Sequence, residues 1–439
     1  MQIGIKAREA GLPIDPTALN RTPTIAELVQ GLVPAREVQA GEATGDVPLS
    51  PMQRYYFTWA TVRPQQFNVS AVFRCSLEPE RLRTALQKLV AHLDALRLRF
   101  QDGRQFYAED GLEVPLECAE TPLTEVGARA AQMQETIDIA HGPIMRAALF
   151  TTEQGQRLVL ICHHLVTDGL SWGTVVTDLQ RVYLGQPLAP PGGTYKSWVE
   201  GLIHFAATPE AEAQLPYWLD QQGPTFTPDS DQPGARQRDI VTLESPMLDE
   251  APPNPYERVA AALAEASGQS RLMLHVVGHG REPVVEGVDP IRICGWFTTH
   301  TPIVLSGGLQ DVAGQLRGMP QHGIAHGALR AYRPRGPELA VQDRVKILYN
   351  FFGETWDSSL HGAVFQNPEA ELLYLKNHAY ADNPADFWLY LVAIIHAGKL
   401  LIRFQYSSVN YREATIRGLA DRMRASLQAH LHEPVAARA

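Results

Sequence analysis

Arg157 to Cys162 reads Arg-Leu-Val-Leu-Ile-Cys, a short β-rich run that ends directly on His163-His164-Leu165-Val166-Thr167-Asp168-Gly169. A strand therefore delivers a histidine pair to a turn. Fewer than about one chain in a hundred of this composition would carry the pattern His-His, three free positions, Asp and Gly by chance. Imidazole has the unperturbed pKa closest to neutrality, so a histidine held in one orientation at a strand end suits proton transfer. Successive strand side chains point to opposite faces, so only one of the two can face a given cleft while the other packs or hydrogen-bonds behind it. That disfavours a metal bound by both. Asp168, on a turn, is expected to fix the loop rather than complete a metal triad. Taken without further context, the pair equally suits two hydrogen-bonded turn histidines.

The rest of the chain is built to surround such a strand with layers. A length of 439 residues predicts two domains of roughly 200 residues each. In the first half, Glu80 to Leu93 sets Leu82, Leu86, Leu89, Val90 and Leu93 on one helical face. After Tyr217-Trp218-Leu219 the chain passes through a stretch rich in Pro, Gly, Asp and Ser at 223–237, which marks the boundary. The second half repeats the mixture: a helix from Tyr256 to Ala266, strands at Leu272 to Val277, Val345 to Tyr349 and Leu400 to Tyr406, and a closing helix with Ile416, Leu419, Met423 and Leu427 on one side. Both halves read as α/β.

The opening residues differ from both. A short amphipathic piece (Ile3, Ile5, Ala7) stops at Gly11-Leu12-Pro13, and Thr22 and Pro23 start a second helix as N-cap and first helical residue. From Pro34 to Asp46 the chain turns to small and charged residues, the composition of a linker. Lys6, Arg8 and Glu9 stand where a secretory signal would need an apolar core, and the apolar run from Phe387 to Ile402 is broken by His396 and Lys399, so it is expected to be a buried element and not a membrane anchor. A formal charge of −10 argues against nucleic acid and anionic membrane as partners on electrostatic grounds. Cys75, Cys118, Cys162 and Cys294 are far apart with no Cys-x-x-Cys, so no zinc site and no disulfide framework is expected, and the location is read as the cytoplasm.

Two further clusters stand out. Gly278-His279-Gly280-Arg281-Glu282 follows a strand, where Gly-x-Gly permits a tight turn or a close backbone approach. Cys294-Gly295-Trp296-Phe297-Thr298-Thr299 comes next, and Tyr349-Asn350-Phe351-Phe352-Gly353 ends another strand with aromatics that suit a core.

With these motifs in order, the chain from about Val47 onward resembles the condensation and epimerization domains of non-ribosomal peptide synthetases. His163 to Gly169 is similar to the family's HHxxxDG, Pro48 to Gln53 to its opening motif, and Leu93 to Phe100 to the one that follows. The match to GHGRE at 278–282, GWFTT at 295–299 followed by Pro302, Pro320-x-x-Gly323 with Gly327, and YNFFG at 349–353 is to the epimerization branch. The resemblance implies an α/β fold of two chloramphenicol-acetyltransferase-like lobes in a V with a central tunnel: 47–222 and 238–439 as lobes, 223–237 as the connection. Residues 1–33 resemble the last helices of a peptidyl carrier domain, with 34–46 as linker; the serine bearing phosphopantetheine would lie before Met1, so this chain is expected not to carry the thioester itself. Implied partners are a carrier domain and adjacent synthetase domains. No cofactor is expected to be bound covalently, the carrier's phosphopantetheine arm bringing the aminoacyl or peptidyl thioester to His164. His163, Asp168 and Gly169 support that residue. His279, Arg281, Glu282, Trp296, Thr298, Tyr349 and Asn350 are candidates for the tunnel and the second motif.

The sequence departs from the family at one informative place. Epimerases of this branch read Glu-Gly-His-Gly-Arg-Glu, and the leading Glu is taken as the second acid/base; here that position is Val277. A valine exchanges no proton, and a two-base epimerisation needs a group on each face of Cα. Three readings stay open: an epimerase that is impaired or recruits another group; a non-catalytic recruitment domain that docks a trans-acting tailoring enzyme such as an oxygenase; and a condensation domain in which His164 orients an amine. The intact His motif argues against pure docking, and the motifs after residue 277 argue against condensation.

Overall fold

The computed structural model describes residue 38 and residues 41–59, 61–230, 236–354, 364–366 and 381–435. The segment read as carrier helices, with Thr22 and Pro23, and part of the linker after it lie outside the described residues. The N-terminal half opens with β1 (Asp46–Val47) and α1 (Pro51–Phe57). It continues through β2 (Asn68–Cys75), α2 (Pro79–His92), β3 (Leu98–Gln101), β4 (Arg104–Tyr107), β5 (Leu116–Glu120) and α3 (Val126–Gln134). Then come β6 (Met145–Thr152), β7 (Gly155–His163), α4 (Gly169–Leu184), α5 (Tyr195–Ala206), α6 (Pro209–Glu212) and α7 (Leu215–Asp220). The sheet that presents the histidines has the order β2-β7-β6-β5, antiparallel except for the β5/β6 pair.

Local sequence explains these elements. Helix α2 starts one residue before the expected helix because Glu78 accepts the Glu80 and Arg81 amides as N-cap and Pro79 takes the first helical position. Its buried stripe of Leu82, Ala85, Leu86, Leu89 and Val90 carries the energy of docking, at about 1.5 to 3 kcal/mol for each fully buried leucine. Ser50 and Gln53 form a capping box on α1, and the Gln53 amide reaches on to the Leu165 carbonyl at 2.8 Å, supporting the histidine loop from behind.

The C-terminal half contains β8 (Ile240–Leu248), α8 (Pro255–Ala266), β9 (Arg271–Gly278), β10 (Thr299–Ser306), α9 (Leu309–Arg317) and α10 (Ile324–Tyr332). It ends with β11 (Ile347–Glu354), β12 (Leu389–His396), β13 (Lys399–Ser407) and α11 (Glu413–Ala429). Its six-stranded sheet runs β10-β9-β11-β12-β13-β8. The apolar run from Phe387 to Ile402 is not one element but the β12–β13 hairpin: His396 pairs with Lys399, so the residues that broke the run mark its turn. The strand expected from Val345 begins at Ile347 and continues to Glu354, with a register shift between Phe351 and Gly353. The bulge splits the aromatics, leaving Tyr349 fully buried and Phe352 exposed.

One hydrophobic core runs through both lobes. Helix α10 lies against α1, where a Cβ at Gly327 would sit 3.4 Å from Pro51, and the Tyr332 hydroxyl donates to the Leu49 carbonyl at 2.7 Å. Residues 364–366 cross the other way. Gln366 and Arg74 exchange two main-chain hydrogen bonds of 2.9 Å at the edge of β2, and Phe365 packs 5.5 Å from Phe73. No described helix is long and apolar enough to cross a membrane.

Candidate functional site

Strand β7 ends on His163, and a 3-10 turn from His164 to Val166 separates it from α4. His163 is fully buried. Its Nε2–H donates to the Pro64 carbonyl at 2.8 Å and its Nδ1 accepts the Leu165 amide at 3.1 Å, a pattern that fixes the neutral tautomer. Burial pushes its pKa down to about 3. With both ring nitrogens bonded to backbone, His163 holds the turn. His164 is oriented differently: its amide donates to the Phe67 carbonyl at 2.8 Å, and its ring stacks on Phe67 at 4.9 Å and meets Trp296 at 4.7 Å. Its Nδ1 makes no hydrogen bond of ordinary geometry. Burial holds the His164 pKa below the usual imidazole value, against the opposing pull of nearby backbone groups and Asp168, so the ring is a free base at neutral pH.

Asp168 is the N-cap of α4, accepting the Ser171 amide at 2.8 Å. Its other contacts come from the C-terminal half: Arg281 bonds it bidentately at 2.8 and 3.0 Å, and the Phe297 amide donates to it at 3.0 Å. Burial alone would raise the Asp168 pKa, but the Arg281 charge and these hydrogen bonds outweigh it and hold the carboxyl below its ordinary range. Arg281 also donates to Ser171 Oγ at 2.7 Å and lies 4.1 Å from the centre of the Phe297 ring. Asp168 and Arg281 are therefore a clasp between lobes, not groups open to a substrate. The turn that aims Arg281 depends on Gly280, at φ +66°, where a Cβ would lie 1.8 Å from the Phe297 carbonyl oxygen.

The remaining candidates separate by position. Gly169 opens α4, and a Cβ there would meet Phe352 at 3.9 Å. His279 Nδ1 accepts the Arg281 amide at 2.9 Å, and its Nε2 lies 3.5 Å from Glu282 Oε1. Burial pushes His279 down to about 3 and Glu282 up to about 8, so between those values the contact joins two neutral groups. Trp296, Thr298 and their neighbours line a cavity of about 260 Å³ between the lobes. Tyr349 does not line it. That ring is fully buried against Tyr256 at 5.5 Å with its hydroxyl donating to the Tyr256 carbonyl at 2.9 Å, because strand alternation turns it into the core of the C-terminal lobe. Asn350 donates to the Tyr390 hydroxyl at 2.9 Å. Val277 is half-buried near the end of β9, paired in register with His300.

Several residues at the site carry no motif. Phe67 forms one face of the His164 slot. The opposite face is braced from a distance: Asp94 accepts the Tyr195 amide at 2.8 Å, and the Tyr195 hydroxyl donates to the Trp296 carbonyl at 3.0 Å. His275, His300 and His326 line the cavity. The alternation of His275, Val277 and the residues opposite them in β10 is the signal by which the sequence could have grouped them.

Residues 43–239 match the family described as Condensation domain. The chain is 29% identical over 476 aligned residues to a linear gramicidin synthase protein of Brevibacillus parabrevis, covering 96% of this chain and 6% of that protein, so it spans a small fraction of its relative's length. Among solved structures, the epimerization domain from the third module of tyrocidine synthetase B superposes with a TM-score of 0.80 at 24% identity, over 90% of this chain and 98% of that one. The X-domain in its complex with OxyB from teicoplanin biosynthesis gives 0.67 at 16% identity, over 90% and 97%. Over residues 43–239 the chain thus matches the Condensation domain family, and over nine-tenths of its length it shares the two-lobed fold of an epimerization domain.

Proposed function

We propose that this chain is an epimerization-type domain acting on an aminoacyl or peptidyl thioester that the phosphopantetheine arm of a carrier domain brings into the inter-lobe cavity. The observation that carries this reading is the state of His164: a neutral imidazole with an unbonded Nδ1, clamped between Phe67 of one lobe and Trp296 of the other. A thioester acidifies its α-proton by delocalising the carbanion into the carbonyl, and a base so placed can remove that proton. In this reading residues 47–222 and 238–439 are the lobes, 223–237 joins them, 1–33 and 34–46 are the end of a carrier domain and its linker, and neighbouring synthetase domains supply the substrate.

The test is direct. A carrier domain charged through phosphopantetheine with L-amino acids is incubated with the chain in deuterium oxide; deuterium at Cα supports the reading, and its absence with every amino acid overturns it. Val277 favours a second reading, recruitment of a tailoring oxygenase to the carrier-bound substrate, since that position offers no proton-exchanging group and an X-domain solved in complex with OxyB shares the fold. Saturable binding of such an oxygenase together with no α-proton exchange would make this the function.

A further inference from the structure

We propose that His300 is the second proton-exchanging residue of this domain, serving the face of Cα opposite to His164. The inference rests on the epimerization reading and deepens it. In the antiparallel β9–β10 pair Val277 is directly opposite His300, and His275 opposite Pro302. Directly opposed residues share a face, with Cβ atoms about 4.5 to 5.5 Å apart. His275 and His300 both line the inter-lobe cavity, so Val277 stands on the cavity's face of the sheet. A side chain at 277 and a side chain at 300 thus address the same space.

The imidazole is held but not spent. Phe387 meets the His300 ring edge-on at 5.3 Å and Tyr55 at 6.4 Å, while its buried Nδ1 has no hydrogen-bond partner among the described residues. A buried polar atom without a partner is costly, and its retention is explained if a substrate or a proton in transit satisfies it. The other end of the same segment reaches His164: Trp296 lines the cavity and touches the His164 ring. Burial first, and then proximity to the His275 and His164 imidazoles and to the Arg330 cation, oppose protonation of His300, holding it at about 3. Negative charge developing on the thioester oxygen acts in the other direction and favours the protonated imidazole.

The proton balance is simple. One imidazole takes the α-proton, the C–H pair moves into the thioester carbonyl as an enolate, and the other imidazole, carrying a proton from solvent, returns one to the opposite face of Cα. The first ring then releases its proton to solvent. In the reverse direction the two exchange roles.

The test uses the full chain and a carrier domain charged in turn with L- and D-aminoacyl-phosphopantetheine, in deuterium oxide. His300→Phe is expected to lower interconversion of the enantiomers about 10² to 10⁴-fold while deuterium still enters one of them with retention. His164→Gln should spare exchange of the other enantiomer. Adding Val277→Glu to His300→Phe should restore interconversion at least tenfold, which also shows that the variant is folded. Interconversion within threefold of the parent in His300→Phe overturns the assignment but leaves the epimerization reading intact. Loss of exchange from both enantiomers in that variant overturns it too. No exchange in the parent removes the reading beneath it.

Discussion

Arg281 and Asp168 join the two lobes through a bidentate ion pair whose side chains are 2% and 3% exposed. It ties the start of the helix after the histidine loop to the turn after β9. The arrangement makes the Asp of the histidine motif a fastening whose loss should be felt as instability.

Arg281→Met leaves a buried carboxylate without its cation, a change worth about 3 to 5 kcal/mol. A fall of several degrees in Tm is expected, with partial recovery in Asp168→Leu/Arg281→Met. Because the Asp168 pKa is depressed, its contribution is fully present above the ordinary carboxylate value and is lost as pH falls through the lower native one. A Tm of Arg281→Met equal to the parent at pH 7 would contradict the clasp.

The two adjacent histidines should fail in different ways. His163→Ala removes two hydrogen bonds from a fully buried turn and should destabilise by about 1 to 3 kcal/mol, read by denaturant unfolding. His164→Ala should fold and lose interconversion of the enantiomers by about 10² to 10⁴-fold. Since burial lowers its pKa, exchange by the parent should rise with pH through a value below the usual imidazole range and be level at neutrality. A midpoint above the usual value would contradict this environment.

Glu282 gives a pH effect of the opposite sign to Asp168. Burial raises it to about 8, so the native state holds a proton that the unfolded chain releases near its ordinary value. Stability from this group is complete below the ordinary carboxylate pKa and is lost as pH rises through about 8. The Tm advantage of Glu282→Gln should therefore widen between pH 5 and pH 9; a constant difference would contradict the assignment.

Gly280→Ala should be far worse than Gly268→Ala. Both residues have positive φ, +66° and +72°, but a Cβ at 280 collides with the Phe297 carbonyl whereas at 268 it meets nothing within 4 Å. The left-handed backbone alone costs roughly 1 to 2 kcal/mol. Equal Tm losses in the two variants would show that the approach of 280 to 297 can relax.

The strand that carries the histidine pair, the stripe of α2 and the closing helix were readable because each repeats at the spacing its own backbone imposes. Asp168 as a loop residue was readable for the same reason: an N-cap lies just ahead of its helix. What resisted is what depends on distant partners. His300 sits beside Val277 only through strand pairing, and only the pairing of β12 with β13 makes the Phe387 to Ile402 run a hairpin rather than one buried element. Phe67, which flanks His164, has no local pattern at all.

The crossing of residues 364–366 onto β2 bears on how this fold survives at high concentration. Strand β2 is the outer strand of its sheet, and a bare outer strand offers a row of amides and carbonyls on which a second molecule can template itself. The paired bonds between Gln366 and Arg74 occupy part of that row with the chain's own backbone. The same short crossing that holds the lobes together thus blocks a route to edge-to-edge aggregation.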